Sequence, residues 1–308
     1  MDIIANELGF PEGPIWCGDG SVLVVELRNR RLTRVAADGA KETLATFDGS
    51  PNGAAIGPDG ACYVCNNGGM RWAPVHGVLF PVGQPDDYVG GRIERVDLTT
   101  GEVRVLYSHC GEHALRGPND LVFDSHGGFW FTDQGKRRER DGDRGGVYYA
   151  RADGSFIEEA IFPIVTPNGI GLAPDERTLY VAETDTCRLW AFDVEEPGRL
   201  RLAKSHTQPY GGRMLYAPQH YARFDSLAVE ANGNIVVATL AHGGLSVIAP
   251  QGGLVEFVPI PDEPTVTNLC FGGPGDRHAY VSAASRGELL RLDWKREGLK
   301  PAYWPAGV

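Results

Sequence analysis

The segment PNGIGLAPDERTLYVAET, residues 167–184, combines three signals in a fixed order. A Pro-Asn pair precedes a short apolar run, a charged turn follows, and the segment ends in a β-rich run. The segment PNDLVFDSHGGFWFTD, residues 118–133, repeats this order. In all, the pattern occurs six times, at residues 11–27, 51–66, 118–133, 167–184, 224–240 and 267–283. Such a recurrence indicates an architecture built from repeated units.

The spacing of the six copies predicts how many strands each unit contains. Successive copies begin between 40 and 67 residues apart, measured at the polar residue that opens each one. That length suits four strands joined by tight Gly/Asp/Asn turns, and no persuasive amphipathic helix supports a βαβ fold. We therefore predict an all-β fold, a six-bladed β-propeller with four antiparallel strands per blade, in one domain over residues 1–308. The segment DIIANEL, residues 2–8, is predicted to close the ring as the outer strand of the last blade.

The charge balance disfavours several classes of partner. The 308 residues carry 29 basic and 40 acidic side chains, a net charge of −11, so nucleic acid and anionic membranes would be repelled. The basic run KRRER, residues 136–140, is followed at once by DGDR and is predicted to be a solvated loop. No basic region precedes an apolar core at the N-terminus, and no stretch approaches the ~20 apolar residues of a membrane helix. We therefore expect a cytoplasmic protein.

The six cysteines are expected to be reduced thiols, because the chain is large and shows no secretion signal. Cys62 and Cys65 form a CxxC pair inside a predicted strand. Residues three apart in a strand face opposite sides, which favours buried thiols over a shared metal.

The polar residue that opens each copy is predicted to lie at the start of an innermost strand, so these residues converge on the central channel. Four of them offer only oxygen donors: Glu12, Asn119, Asn168 and Asp225. Carboxylate and amide oxygens suit Ca²⁺, and two carboxylates balance one divalent cation. Zn²⁺, which prefers nitrogen or sulfur ligands, Mn²⁺ and Mg²⁺ are further candidates. The alternative is that these residues only shape turns, for which Asn and Asp are well suited.

Two long connections, residues 66–91 and 206–223, are predicted to stand over one mouth of the channel as pocket walls or lids. Both are rich in Gly, Pro, aromatic residues and Arg. They supply three predicted substrate contacts, Arg71, Tyr216 and His220, although each alone is also compatible with loop packing.

Five segments, in this order along the chain, resemble motifs of the SMP-30/gluconolactonase family of six-bladed propellers: FPEGPIW (10–16), GPNDLVFD (117–124), TPNGIGLAPDERTLYVAET (166–184), RFDSLAVEANGN (223–234) and TVTNLCFGGPGDRHAYVS (265–282). The resemblance spans nearly the whole chain. It implies a lactonase that depends on calcium or another divalent ion, and the family includes relatives that hydrolyse organophosphate esters. It also implies that Glu12, Asn119, Asn168 and Asp225 bind the metal and that Asp225 activates water or attacks the substrate.

One position departs from the family pattern. Sugar-lactonase relatives often have Arg two residues before the Asn that matches Asn119, whereas this chain has Gly117 there and Arg116 one residue further back. We predict that Arg116 still reaches the substrate pocket, and that Asn52, which opens the second copy, contacts the substrate as well.

Together, the residues and the resemblance lead us to expect a metal-dependent hydrolase that opens a small-molecule lactone with the help of Asp225. Two alternatives use the same oxygen-lined site. One is hydrolysis of organophosphate triesters, and the other is a non-catalytic binding propeller that uses calcium to plug its channel, because a fold does not fix a function.

Overall fold

The computed structural model describes residues 1–75, 77–203, 205 and 208–304. Regular secondary structure in these residues consists of 29 β-strands without any α-helix. Within the described part of the chain, then, there is no helix of the length and apolarity that crossing a membrane requires.

Strand β1 (Asp2–Ala5) comes first, and the strands that follow it form blades one to three. Blade one contains β2 (Pro11–Trp16), β3 (Val22–Glu26), β4 (Arg31–Val35) and β5 (Lys41–Thr46). Blade two contains β6 (Pro51–Ile56), β7 (Cys62–Asn66), β10 (Arg92–Val96) and β11 (Val103–Tyr107), and the hairpin β8 (Arg71–Val75) and β9 (Val78–Gly83) is inserted into it. After the short pair β12 (His109–Cys110) and β13 (His113–Ala114), blade three contains β14 (Pro118–Phe123), β15 (Gly128–Asp133), β16 (Gly145–Arg151) and β17 (Ile157–Ile164).

Blades four to six use the remaining strands. Blade four contains β18 (Pro167–Leu172), β19 (Thr178–Glu183), β20 (Arg188–Glu196), β21 (Arg199–Arg201) and β22 (Arg213–Tyr216). Blade five contains β23 (Arg223–Val229), β24 (Ile235–Leu240), β25 (Gly244–Ile248) and β26 (Leu254–Pro259). Blade six contains β27 (Val266–Phe271), β28 (His278–Ala283), β29 (Glu288–Asp293) and, as its outer strand, β1.

The outer strand of the last blade closes the ring. Strand β1 pairs antiparallel with β29, with Asp2 opposite Arg291 and Ile3 opposite Leu290. The innermost strands β2, β6, β14, β18, β23 and β27 contact one another in this order, and β27 contacts β2. The predicted six-bladed propeller, closed by its N-terminal strand, is confirmed.

Each blade packs an apolar face on its neighbour. Between blades three and four, Trp130 and Val147 pack in one cluster with Val181 and Phe192. Because successive side chains of a strand point to opposite faces, each sheet contributes to two such clusters. The core therefore lies between the blades and holds the innermost strands around the axis.

The CxxC pair illustrates this alternation. Cys62 packs with Leu23 and Val25 of blade one, whereas Cys65 packs on the other face with Phe129 of blade three. All six cysteines are free thiols, and Cys62 and Cys65 are both buried, as predicted for this pair.

The two long connections take different positions. Residues Met70 and Phe80–Gly83 of the first one line the central cavity, as predicted. The second does not form a comparable lid, because β22 pairs with β20 and completes the outer edge of blade four. Leu215 anchors it there by packing in the apolar cluster that contains Leu189. Among its described residues only Arg223 lines the cavity, and His206 and Thr207, which the predicted lid included, lie outside the described residues.

Candidate active site

Every innermost strand is irregular at the residue that opens its repeat. In all six blades the pairing of the first and second strands shifts register at this point. The shift lies, for example, between Glu12 and Ile15 in blade one and between Pro118 and Leu121 in blade three. In blade five it lies between Phe224 and Leu227. A β-bulge bends a strand and re-aims the side chain that it carries. The six bulges therefore direct the opening residues away from the ladder pattern of their own sheets.

Glycines next to two of these residues allow the bulges to crowd together. A Cβ atom at Gly53 would lie 2.7 Å from the backbone oxygen of Asn119, and one at Gly169 would lie 2.7 Å from the backbone oxygen of Asp225. Contacts this short exclude any side chain. Repeats two and four thus have Gly after the opening Asn because neighbouring innermost strands approach closely at this position.

The bulges bring five opening residues to one cavity of about 500 Å³. These are Glu12, Asn52, Asn119, Asn168 and Asp225, and each of them is at least nine-tenths buried. The sixth opening residue, Asn268, lines a separate apolar cavity of about 200 Å³, whose lining includes residues 299 and 301–304 near the C-terminus. The structure therefore collects all four predicted metal ligands at one end of the channel.

The carboxyl groups at this end perturb one another. Burial raises the pKa of Asp225 to about 7. Burial, followed by the charge of Asp225, raises the pKa of Glu12 well above its ordinary range. Asp120, which sequence reasoning missed, lines the separate cavity that contains Asn268; burial raises its pKa to about 7, and its charge reaches Glu12 and Asp225. A signal existed, because Asp120 occupies the position that Gly53 and Gly169 hold in other repeats.

The donor set fits a divalent cation. The Oδ1 atom of Asn119 is buried and has no hydrogen-bond partner in the described part of the chain, as expected for an oxygen reserved for a ligand. The Nδ2 atom of Asn168 donates to the Thr184 hydroxyl at 3.0 Å, and its Oδ1 atom accepts only a long hydrogen bond of 3.4 Å from the Ser226 hydroxyl. Within the described residues no cluster of three or more His, Cys, Asp or Glu side chains is arranged to hold a metal. A cation at this site would therefore need the two amide oxygens as well as the two carboxylates.

The predicted substrate contacts are scattered. Asn52 lines the cavity, whereas Arg71, Arg116, Tyr216 and His220 do not. Arg71, Arg116 and His220 are exposed. Tyr216 packs beside Phe224. The His220 ring lies 4.5 Å from the ring of His242, measured between the ring centroids. Their roles stay predictions.

Position 117 explains the departure from the family motif. The backbone N–H of Gly117 donates to Asp133 at 2.7 Å, and a Cβ atom at Gly117 would lie 2.5 Å from the backbone oxygen of Gly135. The loop that contains Gly135 therefore occupies the space that the Cβ atom of an arginine at position 117 would need.

One basic residue of the cavity was mispredicted. Lys136 belongs to the run that we predicted to be a solvated loop, yet its side chain is buried and lines the cavity. The prediction is wrong for this residue because Lys136 turns inward to hydrogen-bond acceptors on Asn67 and Gly69 of blade two, which lie far away in sequence.

Known proteins resemble this chain in sequence and in fold. Residues 10–285 match the family model described as the SMP-30/Gluconolactonase/LRE-like region. A gluconolactonase of Zymomonas mobilis is 24% identical over 310 residues, covering 92% of this chain and 79% of that protein. Lactonase drp35 of Staphylococcus saprophyticus is 28% identical over 243 residues, covering 79% of this chain but only 64% of that protein. The structure of regucalcin, a calcium-binding protein from Agrobacterium tumefaciens, has the same fold, with a TM-score of 0.72, 17% identity and 97% coverage of both chains.

Proposed function

Because this chain belongs to the SMP-30/gluconolactonase/LRE-like family, we propose that it is a lactonase that depends on a divalent cation and opens the ring of a small lactone. The gluconolactonase and lactonase relatives support a lactonase-like function. The observation that carries the proposal is the convergence of Glu12, Asn119, Asn168 and Asp225 in one buried cavity, with the Asn119 Oδ1 atom left without a partner among the described residues.

These four residues would hold the cation. Their two carboxylates balance a double positive charge, and their amide oxygens complete the kind of donor set that Ca²⁺ accepts. The name of the regucalcin neighbour, a calcium-binding protein, supports Ca²⁺ as the resident ion over Zn²⁺, Mn²⁺ or Mg²⁺. When bound, the cation would supply Lewis-acid polarisation of the lactone carbonyl.

Asp225 is the residue that we assign to proton transfer. Its pKa, raised by burial to about 7, makes the ionised carboxylate a stronger base than an ordinary aspartate, although a neighbouring cation lowers this pKa again. Asp225 accepts a proton from water while the water oxygen bonds to the carbonyl carbon. The ring C–O bond then breaks, the ring oxygen receives the proton, and a hydroxy acid results. Direct addition of the Asp225 carboxylate to the carbonyl is the variant of this step that would leave a covalent adduct.

The test is a lactone panel followed by pH-stat, with Ca²⁺, Mn²⁺, Zn²⁺, Mg²⁺ or a chelator present. Wild-type protein should open at least one lactone with a cation present and lose this activity on chelation. The Asp225→Asn variant should lower kcat by about 100-fold or more, the usual loss for a general base. Asp193→Asn is the matched control, because Asp193 is an exposed aspartate on β20 outside the cavity.

Three results would contradict the proposal in different ways. Retention of kcat by Asp225→Asn would remove Asp225 from the chemistry. Turnover of phosphotriesters but not of lactones would replace the substrate class. Stabilisation by Ca²⁺ without turnover of any ester would leave a binding propeller.

A further inference from the structure

Lys136 is a buried cation in the wall of the proposed active-site cavity. Only 3% of its surface is exposed, although lysine is almost never buried to this extent without a paired charge. Its Nζ atom donates to Oδ1 of Asn67 at 3.0 Å and to the backbone oxygen of Gly69 at 2.6 Å. The Met70 sulfur, at 3.8 Å, is a weak third acceptor. The ammonium group therefore has neutral partners.

Within the described residues no carboxylate lies within 4 Å of the Lys136 Nζ atom. Asp133 and Asp143 are the acids whose charges reach it, and both are engaged elsewhere. The Asp133 carboxylate accepts the backbone N–H groups of Arg116, Gly117 and Gly135, at 2.7 to 2.9 Å. The Asp143 carboxylate accepts two guanidinium bonds from Arg138, at 3.1 and 3.2 Å.

Four arginines also line the cavity, of which Arg140 is exposed to solvent and the other three pair with carboxylates. Arg137 and Arg223 both pair with Asp185, and Arg138 pairs with Asp141 and Asp143. These three arginines form direct ion pairs, whereas Lys136 feels Asp133 and Asp143 only at longer range and has the face of the Tyr88 ring 5.6 Å from its Nζ atom.

A second buried donor lies beside Lys136. The Nδ2 atom of Asn67, on the same amide whose oxygen accepts from Lys136, is buried and has no hydrogen-bond partner in the described ranges. The Nδ2 donor of Asn67, which has no partner, and the Lys136 ammonium group, which has hydrogen bonds but no ion pair, are both costly to bury unless an acceptor that bears negative charge supplies the missing partner.

We propose that Lys136, backed by Asn67, recognises an anionic group of the substrate, so that the preferred substrate is a lactone that carries a carboxylate. This inference rests on the proposed lactonase function, because Lys136 lines the same cavity as Glu12, Asn119 and Asp225. The carboxylate would bind at the Lys136 wall while the lactone carbonyl faces the acidic end. Burial lowers the pKa of Lys136 to about 7, and a bound carboxylate would restore the ammonium form.

The test compares two substrates that differ in one group. Gluconolactone ends in a hydroxymethyl group, and the corresponding glucarolactone ends in a carboxylate. Wild-type protein should favour the glucarolactone in kcat/KM, and Lys136→Met should reduce the ratio of the two values about tenfold or more, as expected for loss of a hydrogen bond to a charged group. Lys136→Arg keeps the charge and should preserve part of the preference. Lys41→Met, an exposed lysine on the outer strand β5, is the matched control.

Binding of the open acids separates this inference from the proposed function. Calorimetry with glucarate and gluconate needs no turnover, and glucarate should bind wild type more tightly by about tenfold and lose this advantage in Lys136→Met. If no lactone is hydrolysed but the preference for glucarate depends on Lys136, only the proposed activity fails. If gluconolactone is hydrolysed and Lys136→Met leaves both the substrate ratio and the glucarate preference unchanged, the inference is overturned and the lactonase function stands. Urea denaturation of each variant confirms that it is folded.

Discussion

The hydroxyl group of Thr132 donates a hydrogen bond of 2.6 Å to the backbone oxygen of Asn168, one blade further on. The same hydroxyl accepts the backbone N–H of Asp120 at 3.2 Å. Thr132 therefore joins the bulges of blades three and four, whose backbone groups the disrupted ladders leave without regular partners. A second-strand side chain thus fixes the spacing between the strands that carry Asn119 and Asn168.

Replacing Thr132 by Val should lower the free energy of unfolding by about 1–3 kcal/mol, because the Asn168 carbonyl stays buried without a donor. Urea denaturation measures this loss. Thr132→Ser retains the hydroxyl and is the control, since it removes only a methyl group. If Ser destabilised the protein and Val did not, packing of the methyl group, and not the hydrogen bond, would hold these strands together.

Glu12→Gln should have opposite effects on the stability of the metal-free protein and of the calcium-loaded protein. Without a cation, Glu12 adds charge to a buried site that also holds Asp225 and that the charge of Asp120 reaches, and its raised pKa means that ionisation costs stability. At pH 8 in chelator, the variant should therefore be more stable than wild type, by on the order of 1 kcal/mol. With Ca²⁺ at 100 times its Kd, wild type should gain about 2.7 kcal/mol and the variant much less.

Thermal unfolding with and without Ca²⁺ checks both halves of this expectation. Glu7→Gln is a suitable control, because Glu7 is exposed on the segment before β2. A variant that keeps the full calcium-induced shift would remove Glu12 from the ligand set.

Lys136 should give the stability a recognisable pH dependence. Its pKa is lowered by burial from 10.5 to about 7, so the folded protein releases this proton near pH 7 and the unfolded chain keeps it until about pH 10.5. Between these values the unfolded state binds more protons, and the contribution of Lys136 therefore makes the free energy of unfolding rise with pH. Urea denaturation at several pH values should show this rise in wild type and lose it in Lys136→Met. The same slope in both proteins would show that Lys136 titrates normally.

The parts of the fold that depend on local signals could be predicted from the sequence. Each repeat carries its own turn and strand pattern, and the ring follows from their number. Asn119 and Asn168 could be singled out because an opening position in each repeat must face the axis. Lys136 could not, because its burial depends on acceptors about 70 residues away in another blade. Arg71 was selected for its residue type alone, and no sequence pattern indicates that its side chain lies outside the cavity.

In several blades, a carboxylate at the end of the second strand accepts hydrogen bonds from the backbone segment that precedes the innermost strand. Asp133, at the end of β15, accepts the backbone N–H groups of Arg116 and Gly117, which lead directly into Asn119. Glu26, at the end of β3, accepts the N–H of Gly9 at 2.6 Å in the same way in blade one. The sequence shows that the second strand of these repeats ends in an acidic residue. It does not show the hydrogen-bond partners of this residue, because they lie in the segment before the first strand and come close only in the folded structure.

Asp133→Asn should therefore weaken calcium binding without touching a ligand. The amide presents an NH₂ group where the carboxylate accepted an N–H, so the segment before Asn119 must move. Calcium affinity should fall by about 10-fold or more, the usual effect of losing a group that orients a metal ligand. The matched control is Asp124→Asn at the other end of β14, where a buried aspartate also accepts two backbone N–H groups but lies outside the cavity. Calorimetric titration with Ca²⁺ separates the two: both variants should lose stability, and only Asp133→Asn should lose affinity. Equal affinities would mean that the entry segment does not position Asn119.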